Sequence, residues 1–148
     1  MSRVLLALFA LVYLVAPAAA DKRGKRVVTT DTAIVLADPI YFETGKAVIK
    51  AESFALLDAV TATLAADAHI AFVEIQVHTD ERGDADWNLA VSQKRADAIR
   101  DYLVAKGIDA KRLRAKGYGE TKPLDKRHTA AAWAKNRRTE LVILQRVT

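Results

Sequence analysis

Residues 72–106, FVEIQVHTDERGDADWNLAVSQKRADAIRDYLVAK, change hydrophobic period once, near their middle. Over residues 72–78 the side chains alternate. Val73, Ile75 and Val77 face one way and Glu74, Gln76 and His78 the other, the pattern of a half-buried strand. Residues 79–86 are polar, contain Gly83 and read as a loop. Over residues 87–106, Ala96, Ile99 and Leu103 recur at helical spacing, with Leu89 one heptad before Ala96. That spacing predicts a long helix with one inner stripe. Gly107 stands where a left-handed residue closes a helix.

Working outward, residues 51–66 lack Gly and Pro and repeat Phe54, Leu57, Val60 and Leu64, which predicts a second amphipathic helix. Residues 34–42 are rich in β-formers but interrupted by Asp38-Pro39. Pro39 cannot donate to a ladder, so two short strands or an edge strand are expected, followed by a turn at Gly45. Downstream come a helical turn (109–112), a weaker strand (113–118), a short helix (129–135) and a last strand (139–145). In that last strand Leu141 and Ile143 oppose Val142 and Leu144. Strands alternating with helices predict an α/β (α+β) two-layer sandwich, βαβαβ(α)β, with a small mixed sheet covered by helices.

The N-terminus carries an address. Arg3 precedes an unbroken apolar run over residues 4–16, then Pro17 and Ala18-Ala19-Ala20 before Asp21. A positive start, a short apolar core and a small-residue cleavage site predict a secretory signal peptide over 1–20. The alternative is a retained membrane anchor, against which the run is shorter than the roughly 20 residues that span a bilayer. Residues 21–33 hold Lys22, Arg23, Lys25 and Arg26 and are expected to be a basic linker, either a solvated leader or a segment drawn to anionic membrane or wall polymer. Residues 34–148 remain for one domain. Export places the protein in the periplasm and argues against a nucleic-acid partner, although the formal net charge is +5. With 51% hydrophobic and 28% charged residues the composition is globular. There is no cysteine, hence no disulfide, no thiolate metal site, no cysteine nucleophile and no thiol to carry a lipid.

Three chemistries are open to the residues that remain. His78, Asp80 and Ser92 are the residue types of a hydrolase triad, but no G-x-S-x-G elbow occurs and Ser92 falls inside the expected helix. His69, His78 and His128 form no metal-ligand spacing, and no cofactor motif occurs. The third arrangement is a fixed anion past the strand, Asp80, and a fixed cation on the helix, Arg95. Such a pair suits a zwitterionic amino-acid end, the carboxylate taking an ammonium and the guanidinium a carboxylate. The alternative is that Asp80 and Arg95 bond each other. Arg95 lies about 12 Å along the helix from Trp87, so a shared ligand requires loop 81–86 to fold back beside the helix.

The ordered set His78-Thr79-Asp80, Asn88, Ser92, Arg95-Ala96, Tyr102-Leu103, Gly107-Ile108, Arg112-Leu113, Gly117-Tyr118-Gly119-Glu120, Pro123 and Asn136-Arg137-Arg138 resembles the OmpA-like peptidoglycan-binding domain. That family includes the C-terminal domain of OmpA, the Pal lipoproteins and the MotB periplasmic domain. The resemblance runs from about Ile40 to Ile143. It implies non-covalent, non-catalytic binding of peptidoglycan through the diaminopimelate of the stem peptide, with no metal and no cofactor. It implies that Asp80 and Arg95 clamp the ligand, that Thr79 and Asn88 shape the pocket, and that Asn136, Arg137 and Arg138 lie near the site. Val77, Val91, Trp87 and Thr139 depart from the family pattern without removing a charged group. The expected location is the periplasm, associated with the cell wall and outer membrane. Other partners in view are envelope proteins or an anionic membrane surface bound by a scaffold; a wall hydrolase is the remaining alternative.

Overall fold

The structure, a computed structural model, describes residues 26–148. The signal peptide expected over 1–20 and the first residues of the linker lie outside the described residues. The elements in chain order are β1 (Val27–Thr29), β2 (Ala33–Leu36), α1 (Phe54–Ala66), β3 (Ile70–His78), α2 (Ala85–Ala105), β4 (Leu113–Gly119), α3 (Ala130–Asn136) and β5 (Arg138–Arg146). The five strands form one mixed sheet in the order β1-β2-β5-β3-β4. Only β3 and β4 run parallel, joined by α2; the other pairings are antiparallel. This is the expected α/β sandwich.

One face of the sheet meets α1 and α2. Ile34, Val73, Ile75, Val77, Leu113, Leu141 and Ile143 pack there against Leu57, Val60, Leu64, Ala96, Ile99 and Leu103. The expected alternation in β3 is therefore correct in phase, and the last strand buries Leu141 and Ile143 as its pattern requires.

Four local expectations change. Residues 27–29, inside the span read as linker, form β1, pairing Val28 with Val35 and Thr29 with Ile34. Three residues are too few for a period to show. Over 34–42 only one strand survives; the chain leaves the sheet before Pro39, and Phe42 makes a single bridge to Ile49. Phe54 is not in the inner stripe of α1. Leu57, Val60 and Leu64 keep the expected register with Leu56 buried beside them, while Phe54, the first residue of the helix, stacks on Tyr102 at 5.2 Å between ring centroids. Leu89 is likewise exposed. The buried positions of α2 are Asn88, Val91, Ser92, Ala96, Ile99 and Leu103, so the N-terminal half of the stripe is filled partly by polar residues.

Those polar residues dock α2 on β4. Ser92, fully buried, donates to the Leu89 carbonyl at 2.9 Å and accepts from the Gly119 amide at 2.9 Å. Gln93 accepts from the Gly117 amide at 2.9 Å. A Cβ on Gly117 would lie 2.1 Å from the Gln93 nitrogen, so only glycine lets the helix come this close. The helix carrying Arg95 is held by this contact.

Candidate functional site

The C-terminal end of β3 opens into a cleft of about 850 Å³. Its walls come from the segment before α1, the end of β3 with the loop after it, α2, and the junction of α3 and β5. Asp80, Arg82, Asn88, Arg95, Arg137 and Arg138 line it, with Tyr41 and Trp87 among its aromatic residues.

Loop 81–86 folds back onto α2, as a shared site requires. Asp84 caps the helix, its carboxylate accepting from the Trp87 amide at 2.8 Å. Asn88, buried one turn in, donates its side-chain amide to the carbonyls of Asp80 at 3.3 Å and Arg82 at 3.0 Å. The helix starts at Ala85 rather than Trp87, which puts Arg95 about 15 Å along it.

Asp80 and Arg95 line the same cleft and do not bond each other. Asp80 is buried at 6% exposure. Its Oδ1 accepts from the Arg82 amide at 2.9 Å and Arg82 Nε at 3.1 Å. Its Oδ2 accepts from an Arg82 Nη at 2.8 Å and from Arg137 Nη1 at 2.8 Å. Burial pushes the carboxyl pKa up, but the bonds from Arg82 and Arg137 outweigh it and hold the group at about 2. Asp80 is a carboxylate at any physiological pH.

Arg95 is half-buried. Its Nε donates to the Lys46 carbonyl at 2.9 Å, and its guanidinium carbon sits 5.0 Å from the centroid of the Phe42 ring. Burial lowers its pKa, but a guanidinium stays charged. Among the described residues its two Nη groups make no hydrogen bond, so the end that can fork onto a carboxylate is free.

The other expected site residues divide. Thr79 and Asn88 line the cleft; the Thr79 hydroxyl is buried with no partner and its amide donates to the Gly119 carbonyl at 2.9 Å. Arg137 reaches Asp80. Arg138 lines the cleft, yet its guanidinium is spent on Glu140, the Asn136 carbonyl and the Lys122 carbonyl. Asn136 is not in the cleft. It is buried and pins the loop before α3, accepting from the Leu124 and Asp125 amides and donating to the Asp125 carbonyl. Arg82 was missed. The available signal was Asp-x-Arg in a loop, where the carboxylate can accept from the amide two residues on.

Ser92 does not line the cleft, and both its hydrogen-bonding roles are engaged in packing, so the His78-Asp80-Ser92 arrangement does not assemble. Among the described residues no group of three or more His, Cys, Asp or Glu could hold a metal ion.

Residues 41–137 match the model of the OmpA family. The chain belongs to the OmpA family. It is 44% identical over 102 residues to a peptidoglycan-associated lipoprotein of Haemophilus influenzae, covering 69% of this chain and 66% of that protein. It is 36% identical over 113 residues to the protein of that name from Rhizobium meliloti, covering 76% and 64% respectively. The chain thus spans just under two-thirds of the length of these relatives. Among solved structures it is similar to the peptidoglycan-associated lipoprotein of Burkholderia pseudomallei, with 37% identity and a TM-score of 0.61 over 72% of this chain and 91% of that one. It is also similar to the cell wall anchor of the T6SS from Pseudomonas aeruginosa, with 28% identity and a TM-score of 0.68 over 81% and 88%.

Proposed function

We propose that the cleft binds peptidoglycan non-covalently, through the amino-acid end of diaminopimelate in the stem peptide, and that the protein so organises the cell envelope without catalysis. Asp80 takes the ammonium and Arg95 the carboxylate. The observation that carries this reading is a buried anion and a half-free guanidinium lining one cleft without pairing. A ligand bearing both charges on one carbon suits them. Thr79 and Asn88 fix the loop that presents Asp80, Arg137 supports it, and Arg138 and Asn136 hold the surrounding backbone. Trp87, 58% exposed, offers an apolar surface to the rest of the peptide.

The relatives' names support the ligand class. The 148 residues contain no cysteine, so what carries over from those lipoproteins is the domain. Location in the periplasm follows if residues 1–20 are removed as a signal peptide. The folded unit then comprises residues 34–148 with β1 added to its edge.

The test is co-sedimentation with diaminopimelate-type sacculi. Wild-type protein pellets with them, whereas Asp80→Ala and Arg95→Ala remain in the supernatant. Unchanged retention in both variants refutes the site. Release of soluble fragments from the sacculi would instead favour a hydrolase.

A further inference from the structure

A carboxylate offers about four acceptor positions. In this structure Asp80 receives four donors, all from the protein: the Arg82 amide, Arg82 Nε, an Arg82 Nη and Arg137 Nη1. An incoming ammonium therefore finds no vacant position. It reaches Asp80 only by replacing a donor already there.

The two guanidiniums differ in what they keep after leaving. Arg137 is 50% exposed and makes its one side-chain hydrogen bond to Asp80. Arg82 is 55% exposed and has a second contact, its guanidinium carbon lying 4.6 Å from the centroid of the Trp133 ring. Trp133 is itself fixed, its Nε1 donating to Glu81 at 3.0 Å. A guanidinium that slides off Asp80 onto that ring keeps a cation–π contact and gains water. The Arg82 amide stays on Oδ1 throughout, so the loop keeps its shape while the side chain leaves.

We infer that Arg82 is an internal stand-in for the ligand's ammonium, and that ligand binding exchanges the Arg82 guanidinium for that ammonium on Asp80. Arg82 thereby sets both affinity and specificity. Ligands whose amine is missing leave Arg82 in place and gain nothing from Asp80. The inference rests on the reading of the cleft proposed above.

The experiment is titration calorimetry of the protein with a stem tripeptide ending in meso-diaminopimelate, and with the same peptide lacking the side-chain amine. Arg82→Met removes the competitor but keeps the backbone amide. It should bind the amine peptide about twofold to fivefold more tightly than wild type, the worth of a partly exposed ion pair. It should bind the deaminated peptide unchanged. Arg82→Gln should move in the same direction, which guards against a packing effect of methionine. Asp80→Asn should weaken the amine peptide about tenfold or more. No wild-type binding, or full binding by Asp80→Asn, overturns the reading of the cleft and this inference with it. Binding lost in Asp80→Asn but weakened or unchanged in both Arg82 variants overturns the exchange alone.

Discussion

Glu74, within β3, and Asp80, just past its end, are both nearly buried carboxylates held by arginine, yet their surroundings differ. Glu74 is 2% exposed and takes Arg114 Nε at 2.7 Å, the Tyr118 hydroxyl, and Gln76 at 2.8 Å. Arg114 and Tyr118 come from the adjacent strand β4, on the sheet face away from α1 and α2. Burial raises the Glu74 pKa and the bonds from Tyr118, Arg114 and Gln76 more than offset it. The network continues from Gln76 to His78, which stacks on Tyr118 at 5.1 Å. The arginines at both sites are about half exposed, but Asp80 sits in a loop and faces a cleft. On the proposed reading, the difference is that a clasped carboxylate serves binding only where its clasp faces a ligand-sized space.

The sharpest way to break this comparison is to exchange the two sites in a binding assay. Asp80→Ala should lower retention on sacculi by about tenfold or more, as expected when a charged hydrogen-bond partner is removed. Glu74→Gln should leave retention unchanged. Equal losses in both would erase the distinction.

Gly117→Ala strikes the contact on which the cleft depends. A Cβ at that position meets the backbone of Gln93, which cannot yield as a side chain would. Overpacking should cost about 3 kcal/mol, measured by denaturant melts. Sacculus binding should fall in parallel, because Arg95 moves with α2.

A third outcome separates the two regions by pH. His78 is 4% exposed, and its Nδ1 is buried without a partner. Burial, then the nearby Arg138 cation, lower its pKa to about 4. The unfolded chain protonates this histidine first, so its contribution is complete above about pH 6.5 and is lost as pH falls toward 4. The loss should be on the order of 2 kcal/mol and should flatten in His78→Phe, which keeps a ring against Tyr118. Asp80 has the opposite chemistry and a lower window. Its contribution holds above about pH 4 and is lost only as pH falls toward 2.

The smallest effect is on Glu74 itself. Glu74→Gln should destabilise by about 1 kcal/mol in the same melts, because Arg114 is half exposed and re-solvates.

Legibility in the sequence followed the range of the interactions. The strand-loop-helix of residues 72–106 was readable because its period is local and long enough to count. Asp80, Arg95, Thr79, Asn88, Arg137 and Arg138 were all singled out, and all line one cleft. Asn136 was named with them, but its amide is used to hold backbone. Leu89 was assigned to the inner stripe because apolar spacing cannot reveal that Asn88 and Ser92 are wanted there, for hydrogen bonds to a loop and a strand distant in sequence. Arg82 was passed over because nothing apolar or periodic marks it, and its second contact, the Trp133 ring, is distant in sequence.

The sequence by itself determined the α/β class, the core faces of β3 and β5, the core faces of α1 and α2 beyond their first turns, and the charges that line the cleft. These depend on period and composition, which neighbouring residues express. Tertiary structure alone decided that β1 completes the sheet edge, that Gly117 admits α2 to β4, and that Asp80 lies under two guanidiniums while Arg95 keeps its fork free. The contacts of Gly117 with Gln93, Arg137 with Asp80 and Arg95 with Lys46 join segments far apart in the chain, and only packing brings such partners within hydrogen-bond reach; β1 and Arg82 act over a few residues, too few to show a period.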